Sequence, residues 1–302
     1  MSDSVIRRRV AVVATARPSR RRPPARGIVH AVAVYGLLVV LGLFVLLPVG
    51  WMLTAALKPD TVPVFTYPPE WFPTRYFDLS SFEKALFDPD EPFLRYALNT
   101  AMLVFINIVG TVVSCSLIAY AFARLRFRGS RAMFAVLLGT MLLPGPVLLI
   151  PQFLIFFNIG WYGTYLPLTV PSFLGNAFNI FLLRQYMRTV PRELDEAARI
   201  DGASHWHIYR HIILPLCAPA LTVIAVFSFL GTWNDFFGPL IYLDDPNDYT
   251  VAVALATKVS RVGLEWNVLM AANLIAIVPP LVVYFLAQKR LIGGIASVGI
   301  RG

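Results

Sequence analysis

The sequence predicts an all-α membrane protein with six transmembrane helices, and three observations support this fold class. Of its 302 residues, 57% are hydrophobic and 14% are charged, whereas soluble domains carry about 25% charged residues. The mean hydropathy is +0.66. The apolar residues are concentrated in long stretches, and most basic residues lie in alternate segments between them. This composition excludes an ordinary soluble domain.

Six apolar stretches are each near or above the roughly 20 residues that cross a bilayer as a helix. They are residues 28–57, 96–122, 132–157, 165–186, 216–236 and 268–287. Prolines interrupt the third and fourth stretches, at Pro144, Pro146, Pro151, Pro167 and Pro171. Such breaks persist in membranes where neighbouring helices or a cavity satisfy the freed backbone groups. The pattern favours a packed bundle with an internal path over a set of independent anchors.

The distribution of basic residues predicts the orientation. Lys and Arg number 26, and 20 of them lie before the first span, between spans two and three, from Arg184 to Arg210, or after the last span. The positive-inside rule places these segments, with both termini, in the cytoplasm. The net charge of +9 is thus a topology signal. Without an aromatic-interleaved basic patch, it gives no support to nucleic-acid binding.

Both ends of the chain differ in composition from the spans. Residues 1–27 are Arg- and Pro-rich, and we predict a disordered, basic cytoplasmic segment, with anionic lipid as the alternative contact. Residues 28–290 form the six-span domain, and residues 291–302 form a short cytoplasmic tail. Cys115 and Cys217 fall within or beside apolar spans, which indicates packing residues rather than a disulfide or a metal pair.

The loop between spans four and five, residues 190–215, carries the most specific pattern. Pro191 suits a first helical turn, and the carboxylates that follow it are favoured by the helix dipole. Ala197 and Ala198 keep one face small. Gly202 can end the helix in the left-handed conformation, and Ser204 can cap a second helix. The sequence predicts a helix, a sharp turn and another helix outside the bilayer.

This pattern resembles the EAA loop of binding-protein-dependent ABC importers: Glu-Ala-Ala, three residues, Gly, nine residues, then Ile-x-Leu-Pro. The matching residues are Glu196, Ala197, Ala198, Gly202, Ile212, Leu214 and Pro215. Asp201 and Ala203 are shared with the carbohydrate-uptake members. The resemblance implies a coupling helix that docks on an ATPase subunit, where Glu196 and Asp201 pair with basic groups or brace the turn. The alternative is an ordinary amphipathic surface helix.

The resemblance extends over residues 28–302 and implies a multisubunit assembly. The expected partners are a second permease subunit, an ATPase dimer at the cytoplasmic face and an extracytoplasmic solute-binding protein, which contacts outer loops including residues 244–266. The expected location is the plasma (inner) membrane of a bacterium or archaeon. The sequence lacks a phosphate-binding Gly-x-x-x-x-Gly-Lys-Ser/Thr loop, so we expect no cofactor or enzymatic site on this chain. ATP and Mg²⁺ belong to the ATPase, and the loop passes its movement through Pro215 into the fifth span.

Polar residues within the spans are candidates for the translocation path, because such groups usually face the bundle interior or water. Asn176 and Asn179 lie three residues apart on one face of the fourth span. Asn234 and Asp235 lie at the outer rim of the fifth span, as a gate or a binding-protein contact. Interhelical hydrogen bonds and an ordinary helix end are the alternatives. In the related maltose importer the larger permease holds most of the sugar, so the sequence does not assign a sugar pocket to this chain alone.

Other function classes lack their expected signatures. A secondary carrier needs coupling carboxylates near the middle of the membrane, but Asp235 is the only acid within the predicted spans and lies at a rim. A membrane enzyme needs a catalytic constellation, and none is visible. His205, His207 and His211 lie at positions i, i+2 and i+6, and the first two point to different helix faces, which favours surface or docking histidines over a metal site. Within the family, a permease for glycerol phosphate or a polyamine is the alternative to a sugar permease.

Overall fold

The computed structural model describes residues 25–89, 92–259 and 265–299, with side chains described from residue 30 to residue 289 within these ranges. All regular structure in these ranges is helical, which confirms the predicted fold class. Among the described residues, four helices are long and apolar enough to cross a membrane, and the count rises to six if each of two bent helix pairs forms one span. Most of the predicted N-terminal segment, residues 1–24, lies outside the described residues.

Two compact units divide the chain, residues 1–49 and residues 50–302. Helix α1, Ala25–Ala56, contains the first predicted span and has Pro48 inside it. Most of its apolar side chains between Val32 and Leu47 are exposed. Their exposure suits a membrane-spanning helix, for which lipid replaces water as the surrounding solvent.

Helix α3, Phe93–Arg124, is the central helix of the second unit. The outer segment before it contains α2, Ser80–Phe87. At 1.5 Å per residue, the 32 residues of α3 extend about 48 Å. This helix packs against the fourth and fifth predicted spans. It is longer than the predicted span 96–122 by three residues at its start and two at its end.

Prolines and glycines divide the third and fourth predicted spans. Helices α4, Ser130–Thr140, and α5, Gly145–Asn158, meet at a bend of 100° beside the extended Pro144. The fourth span starts with α6, Leu166–Thr169, and a 3-10 helix, Val170–Leu174. It continues as α7, Ala177–Thr189, which is capped by the Asn176 side chain. The sequence predicted where both apolar stretches begin and end, but the 100° change of direction between α4 and α5 is visible only in the structure.

The remaining helices complete the second unit. The segment between α7 and the fifth span contains α8, Glu193–Ile200; α9, His205–Ile208; and α10, Leu214–Leu216. They are followed by α11, Ala218–Trp233; α12, Phe237–Tyr242; α13, Val251–Val259; and α14, Trp266–Gly299. Helix α14 runs past the predicted end of the last span, so the backbone of the predicted tail is helical as far as Gly299. Residues 300–302 lie outside the described residues.

Two buried apolar clusters form the core. The inner cluster joins the C-terminal half of α3 to α7, the loop after α8 and the start of α11, and it includes both Cys115 and Cys217. The outer cluster joins the N-terminal half of α3 to α2, α13, α14 and the end of α11. Helix α3 contributes to both clusters and therefore connects the two ends of the bundle.

Candidate coupling loop and polar path

The turn of the coupling loop, residues 190–215, has the geometry that its sequence predicts. Helix α8 ends at Ile200, and Gly202 has a φ of +81°. The Ala203 N–H donates to the Ala198 carbonyl (2.9 Å), and the Gly202 N–H donates to the Arg199 carbonyl (3.0 Å). These two bonds form a Schellman motif, which satisfies carbonyls that the end of a helix leaves open. The predicted glycine stop is confirmed.

The second arm of the loop contains a more irregular helix than predicted. The Ser204 hydroxyl accepts a hydrogen bond from the His207 N–H (3.2 Å), which confirms the predicted cap. Helix α9 then widens into a π-helical turn, Tyr209–Ile213, before α10. The chain bends by 77° between this arm and α11. Pro215 lies in α10 and therefore just before the bend.

The motif residues differ in exposure. Glu196, Ala197, Asp201, Gly202 and Pro215 are exposed. The four other motif residues, Ala198, Ala203, Ile212 and Leu214, are half-buried and pack against the inner cluster. The exposed side chains are available to another subunit, and the half-buried ones attach the loop to the bundle.

Three exposed apolar side chains extend the loop surface beyond the motif. Ile200 is 86% exposed, Trp206 is 58% exposed and Leu194 is 42% exposed. Sequence reasoning missed them, although an isoleucine beside Asp201 and Gly202 at the end of a polar helix was a visible signal. Exposed apolar and aromatic residues of this kind are typical of protein contact sites.

Arg124, the last residue of α3, holds the start of the coupling loop. Its side chain is 2% exposed, and one terminal nitrogen donates to the carbonyls of Met187 (2.7 Å) and Val190 (2.9 Å). The other terminal nitrogen lies 3.6 Å from the Asp195 carboxylate. Within the described part of the chain, Arg124 Nε and Asp195 Oδ1 have no hydrogen-bond partner. In the sequence analysis Arg124 served only as one of the basic residues that predict the orientation in the membrane, and these contacts were not predicted.

Arg124 and Asp195 also border a groove beside α8 with a volume of about 770 Å³. Its charged and titratable lining residues are Arg124, Arg126, Arg192, Asp195, Glu196, Arg199 and His205. Four guanidinium groups thus face two carboxylates. The groove has a positive balance, so it suits a partner surface that presents acidic side chains.

The three histidines of the loop do not converge. His207 and His211 stack at 4.3 Å between ring centroids, and the His205 ring lies 3.5 Å from the Arg199 guanidinium. Among the described residues, no group of three or more histidine, cysteine, aspartate or glutamate side chains has the arrangement to hold a metal ion.

A polar cavity of about 750 Å³ lies among α3, the divided fourth span and α11. Asn176 and Asn179 both line it. The structure adds five further polar lining residues, Asn107, Thr111, Ser172, Ser228 and Thr232. The Asn107 amide donates to the Leu168 carbonyl (3.0 Å) and the Thr232 hydroxyl (3.1 Å), while its own oxygen has no partner among the residues that the structure describes. The sequence did not predict the serine and threonine residues of this cavity, because short hydroxyl side chains are common within apolar stretches.

Asn234 and Asp235 lie apart from this cavity. The Asn234 amide donates to the Leu230 carbonyl of its own helix (2.8 Å). The Asp235 carboxylate accepts from the Gly238 N–H (3.1 Å) and so caps the turn into α12. The structure therefore gives both side chains local helix-end contacts, and Asn234 also lines a separate pocket of about 410 Å³ with residues of α13 and α14. The gate or docking role of Asn234 and Asp235 stays a prediction.

The comparison with protein families covers the loop and the second half of the bundle. The family described as "Binding-protein-dependent transport system inner membrane component" matches residues 115–296. The chain belongs to this family. The matched region includes the whole coupling loop, the fourth-span side of the cavity, and α11.

Several curated permeases are similar to this permease. A maltose/maltodextrin transport system permease protein, MalG, from Photorhabdus laumondii is 27% identical over 85% of this chain and 91% of its own. A putative ABC transporter permease protein from Caldicellulosiruptor is 31% identical over 70% of this chain and 77% of its own. The alpha-glucoside transport system permease protein AglG from Rhizobium meliloti is 34% identical over 69% of this chain and 57% of its own.

A solved structure shares the fold of this permease. It is a bacterial ABC transporter involved in the import of the acidic polysaccharide alginate, with a TM-score of 0.80 and 23% sequence identity. The match covers 90% of this chain and 99% of that one. At this identity, the comparison shows the fold alone.

Ion pairs order the outer face of the permease. Lys58, whose side chain is 2% exposed, lies 2.8 Å from the Glu70 carboxylate. Asp60 pairs with Lys84 and accepts from the Asn267 amide. Hydrogen bonding from Lys84, and then from Asn267, lowers the pKa of Asp60, and hydrogen bonding to Asp60 raises the pKa of Lys84. Hydrogen bonding from Lys58 lowers the pKa of Glu70. These contacts attach the segment after α1 to α2 and to the start of α14.

Proposed function

We propose that this permease forms half of the translocation path of an ATP-driven importer for a sugar or oligosaccharide. A solute-binding protein outside the membrane delivers the solute, and a second permease subunit supplies the other half of the path. The assembly lies in the plasma membrane of a bacterium or archaeon. Several curated relatives carry out maltose, maltodextrin or α-glucoside transport according to their names, which supports a carbohydrate as the solute.

The observation that carries this proposal is the geometry of the coupling loop. A helix, a Schellman turn and a capped second helix are presented with Glu196 and Asp201 exposed and Ala198 and Ala203 packed inward. This arrangement suits docking on a separate ATPase subunit, which holds ATP and Mg²⁺. Glu196 and Asp201 pair with basic groups of that subunit, and Ala197 permits its close approach.

The lining of the cavity supports a neutral, hydroxyl-rich solute. None of the residues that line it is charged, and seven of them carry an amide or a hydroxyl group. Two phenylalanines, Phe178 and Phe227, also line it, with ring centroids 6.0 Å apart. Amides and hydroxyls exchange hydrogen bonds with sugar hydroxyls, and rings pack against the apolar faces of sugars. Glycerol phosphate or a polyamine would meet no compensating charge on this half of the path.

The mechanism is alternating access. The loaded binding protein docks on the outer loops, which include the described parts of residues 244–266. Closure of the ATPase dimer moves the coupling loop, and the bundle then opens the path from one side of the membrane to the other. Only differential binding of ATP and the loaded binding protein to the two conformations can drive this exchange.

The test begins with the subunits that co-purify with the tagged permease from mildly solubilised native membranes. We expect a second permease, an ATPase and a solute-binding protein, identified by mass spectrometry. The binding protein is then titrated with maltose, maltotriose, an α-glucoside, glycerol 3-phosphate and spermidine, and its thermal midpoint is measured. A midpoint raised only by glycerol 3-phosphate or spermidine would replace the sugar with that solute. Recovery of the permease alone would contradict the importer.

A matched pair of variants tests the coupling role. Glu196→Lys reverses a motif carboxylate that is exposed to the expected ATPase contact, so we expect uptake to be lost while membrane insertion is retained. Glu193→Lys makes the same change at another exposed carboxylate of α8 and serves as the control. Equal uptake by both variants would remove the reason to call this segment a coupling loop.

A further inference from the structure

We infer that α3 is the element that couples the ATPase side of the permease to its outer side, through hydrogen-bonding side chains at its two ends. This inference rests on the proposed importer function. It differs from the sequence expectation, in which movement passes from the coupling loop through Pro215 into the fifth span. The inference assigns positioning roles to five residues outside the EAA motif: Ser116, Tyr120, Arg124, Asn99 and Thr100.

At its inner end, α3 contacts both arms of the coupling loop along a single stripe. Ser116, Tyr120 and Arg124 are spaced four residues apart and therefore share one helix face. Arg124 binds the end of α7 and pairs with α8, as described above. The Tyr120 hydroxyl donates to the His205 carbonyl at the start of α9 (3.1 Å), and the Ser116 and Tyr209 hydroxyls lie 2.8 Å apart.

Arg124 fits this role because its contacts are specific to a guanidinium. It donates to two carbonyls at the C-terminal end of α7, where the helix leaves carbonyls open and the dipole favours a cation. It simultaneously faces the carboxylate of Asp195 in the first turn of α8. A lysine carries the same charge on a single nitrogen, so it cannot place one nitrogen at the two carbonyls and a second beside the carboxylate.

At its outer end, α3 holds the segment between α12 and α13. The Asn99 amide donates to the Asn247 carbonyl (2.9 Å) and the Tyr249 carbonyl (3.2 Å). The fully buried Thr100 hydroxyl accepts from the Val251 N–H (2.9 Å) at the start of α13. Residues 247–251 belong to the outer region that is expected to meet the binding protein.

The two ends are connected by one uninterrupted helix. No proline lies within α3, whereas the route through Pro215 crosses the 77° bend before α11. An unbroken helix transmits a displacement of one end to the other, because each turn is held by its own backbone hydrogen bonds. Between its ends, α3 also places Asn107 and Thr111 on the cavity wall, so its displacement reaches the path.

The experiment uses the complete transporter reconstituted in proteoliposomes. The ATPase rate is measured alone and with the binding protein saturated by the sugar of the panel above that raises its midpoint. Inner-end variants are Arg124→Lys and Tyr120→Phe, and outer-end variants are Asn99→Leu and Thr100→Val. The controls are Arg128→Lys, at an exposed arginine that does not line the groove beside α8, and Asn158→Leu, at an exposed asparagine whose amide bonds within its own helix.

We expect each end variant to assemble with the ATPase and keep its basal hydrolysis, while stimulation by the loaded binding protein falls about tenfold. The controls should remain stimulated. A double variant such as Tyr120→Phe with Thr100→Val should lose little more than either single variant, because both ends act through one element. Tyr120→Phe and Thr100→Val remove few atoms, so these two variants still test the inference if Arg124→Lys does not assemble with the ATPase.

Two outcomes would overturn the inference. Stimulation within about twofold of wild type in the end variants would show that α3 does not carry the coupling. Losses that multiply in the double variant would show two independent contacts. A wild-type transporter that the loaded binding protein does not stimulate would instead overturn the proposed function itself, so the two failures are distinguishable.

Discussion

Gly202 determines the angle between the two arms of the coupling loop. Its φ of +81° lies in the left-handed region, and a Cβ added there would meet no heavy atom within 4 Å. The glycine is therefore needed for backbone conformation and not for space. Among other residues, asparagine adopts this conformation at the lowest cost, whereas β-branched residues are strongly disfavoured.

We predict that Gly202→Asn is milder than Gly202→Val. The asparagine variant should lose about 1 kcal/mol of unfolding free energy or less, and the valine variant about 2 kcal/mol, with uptake reduced in the same order. Thermal unfolding of the purified permease and uptake in cells measure the two effects. If the two variants lost uptake equally, a steric contact with another subunit, and not the backbone conformation, would explain the need for glycine at position 202.

Asp195 is the other residue with a role that geometry reveals. We predict that Asp195→Asn lowers the unfolding free energy by about 2 kcal/mol, because it removes the charge that faces the buried Arg124. Asp201→Asn, at an exposed carboxylate in the same loop, should change stability by no more than about 0.5 kcal/mol. Chemical unfolding of the two purified variants provides the comparison, and matching midpoints would contradict a role for the pair.

At the scale of elements, α3 approaches the 3-10 helix of the fourth span at Gly110. A Cβ at this position would lie 2.2 Å from the Ser172 hydroxyl and 2.9 Å from the Phe173 ring. Gly110→Ala should therefore destabilise the permease by about 1–3 kcal/mol through overpacking. Gly139→Ala in α4, where nothing lies within 4 Å, should be neutral or stabilising because alanine favours helix. Thermal unfolding distinguishes the two, and a neutral Gly110→Ala would disprove close packing.

The outer ion pairs predict a stability plateau in pH. The lowered pKa values of Asp60 and Glu70 mean that their contribution is complete above about pH 5 and is lost as the pH falls through the folded-state values. The raised pKa of Lys84 means that its contribution is complete below about pH 10 and is lost as the pH rises through its folded-state value.

Lys84→Met should reduce the stability change at both edges of this plateau. The Asp60 contribution weakens without its cation, and the alkaline loss from Lys84 disappears. Thermal midpoints of the wild-type and variant permeases across the pH range measure the effect, which should be small because both side chains are partly exposed. If the thermal midpoints of the two proteins changed with pH in parallel, the Asp60–Lys84 pair would make no measurable contribution to stability.

At the scale of the whole molecule, the predicted orientation can be tested with single cysteines. Phe77 is 78% exposed in the outer segment, and Arg128 is exposed in the loop between the second and third spans. In intact cells, a membrane-impermeant maleimide should label Phe77→Cys and leave Arg128→Cys unlabelled. The native Cys115 and Cys217 are fully buried, so background labelling should be low. The reverse pattern would invert the topology.

Sequence reasoning recovered the fold class and the turn of the coupling loop, because both depend on local properties. Apolar stretches of bilayer length, the basic asymmetry, Gly202 and Ser204 each act within a few residues. The same reasoning missed Arg124, whose partners Met187 and Asp195 lie more than 60 residues away in the chain. It also missed the cavity hydroxyls, because serine and threonine within an apolar run do not reveal which face they occupy.

By itself, the sequence determined the membrane class and the motif of the loop, and it predicted the extent and the orientation of the spans. Each follows from hydropathy, from charge, or from the conformational preference of a single residue. Only the tertiary structure decided that α3 contacts both the coupling loop and the outer segment, that Asn176 and Asn179 face one cavity while Asn234 and Asp235 make helix-end contacts apart from it, and that the third span bends by 100°. These features depend on which distant side chains fill the same space, and packing between helices settles that.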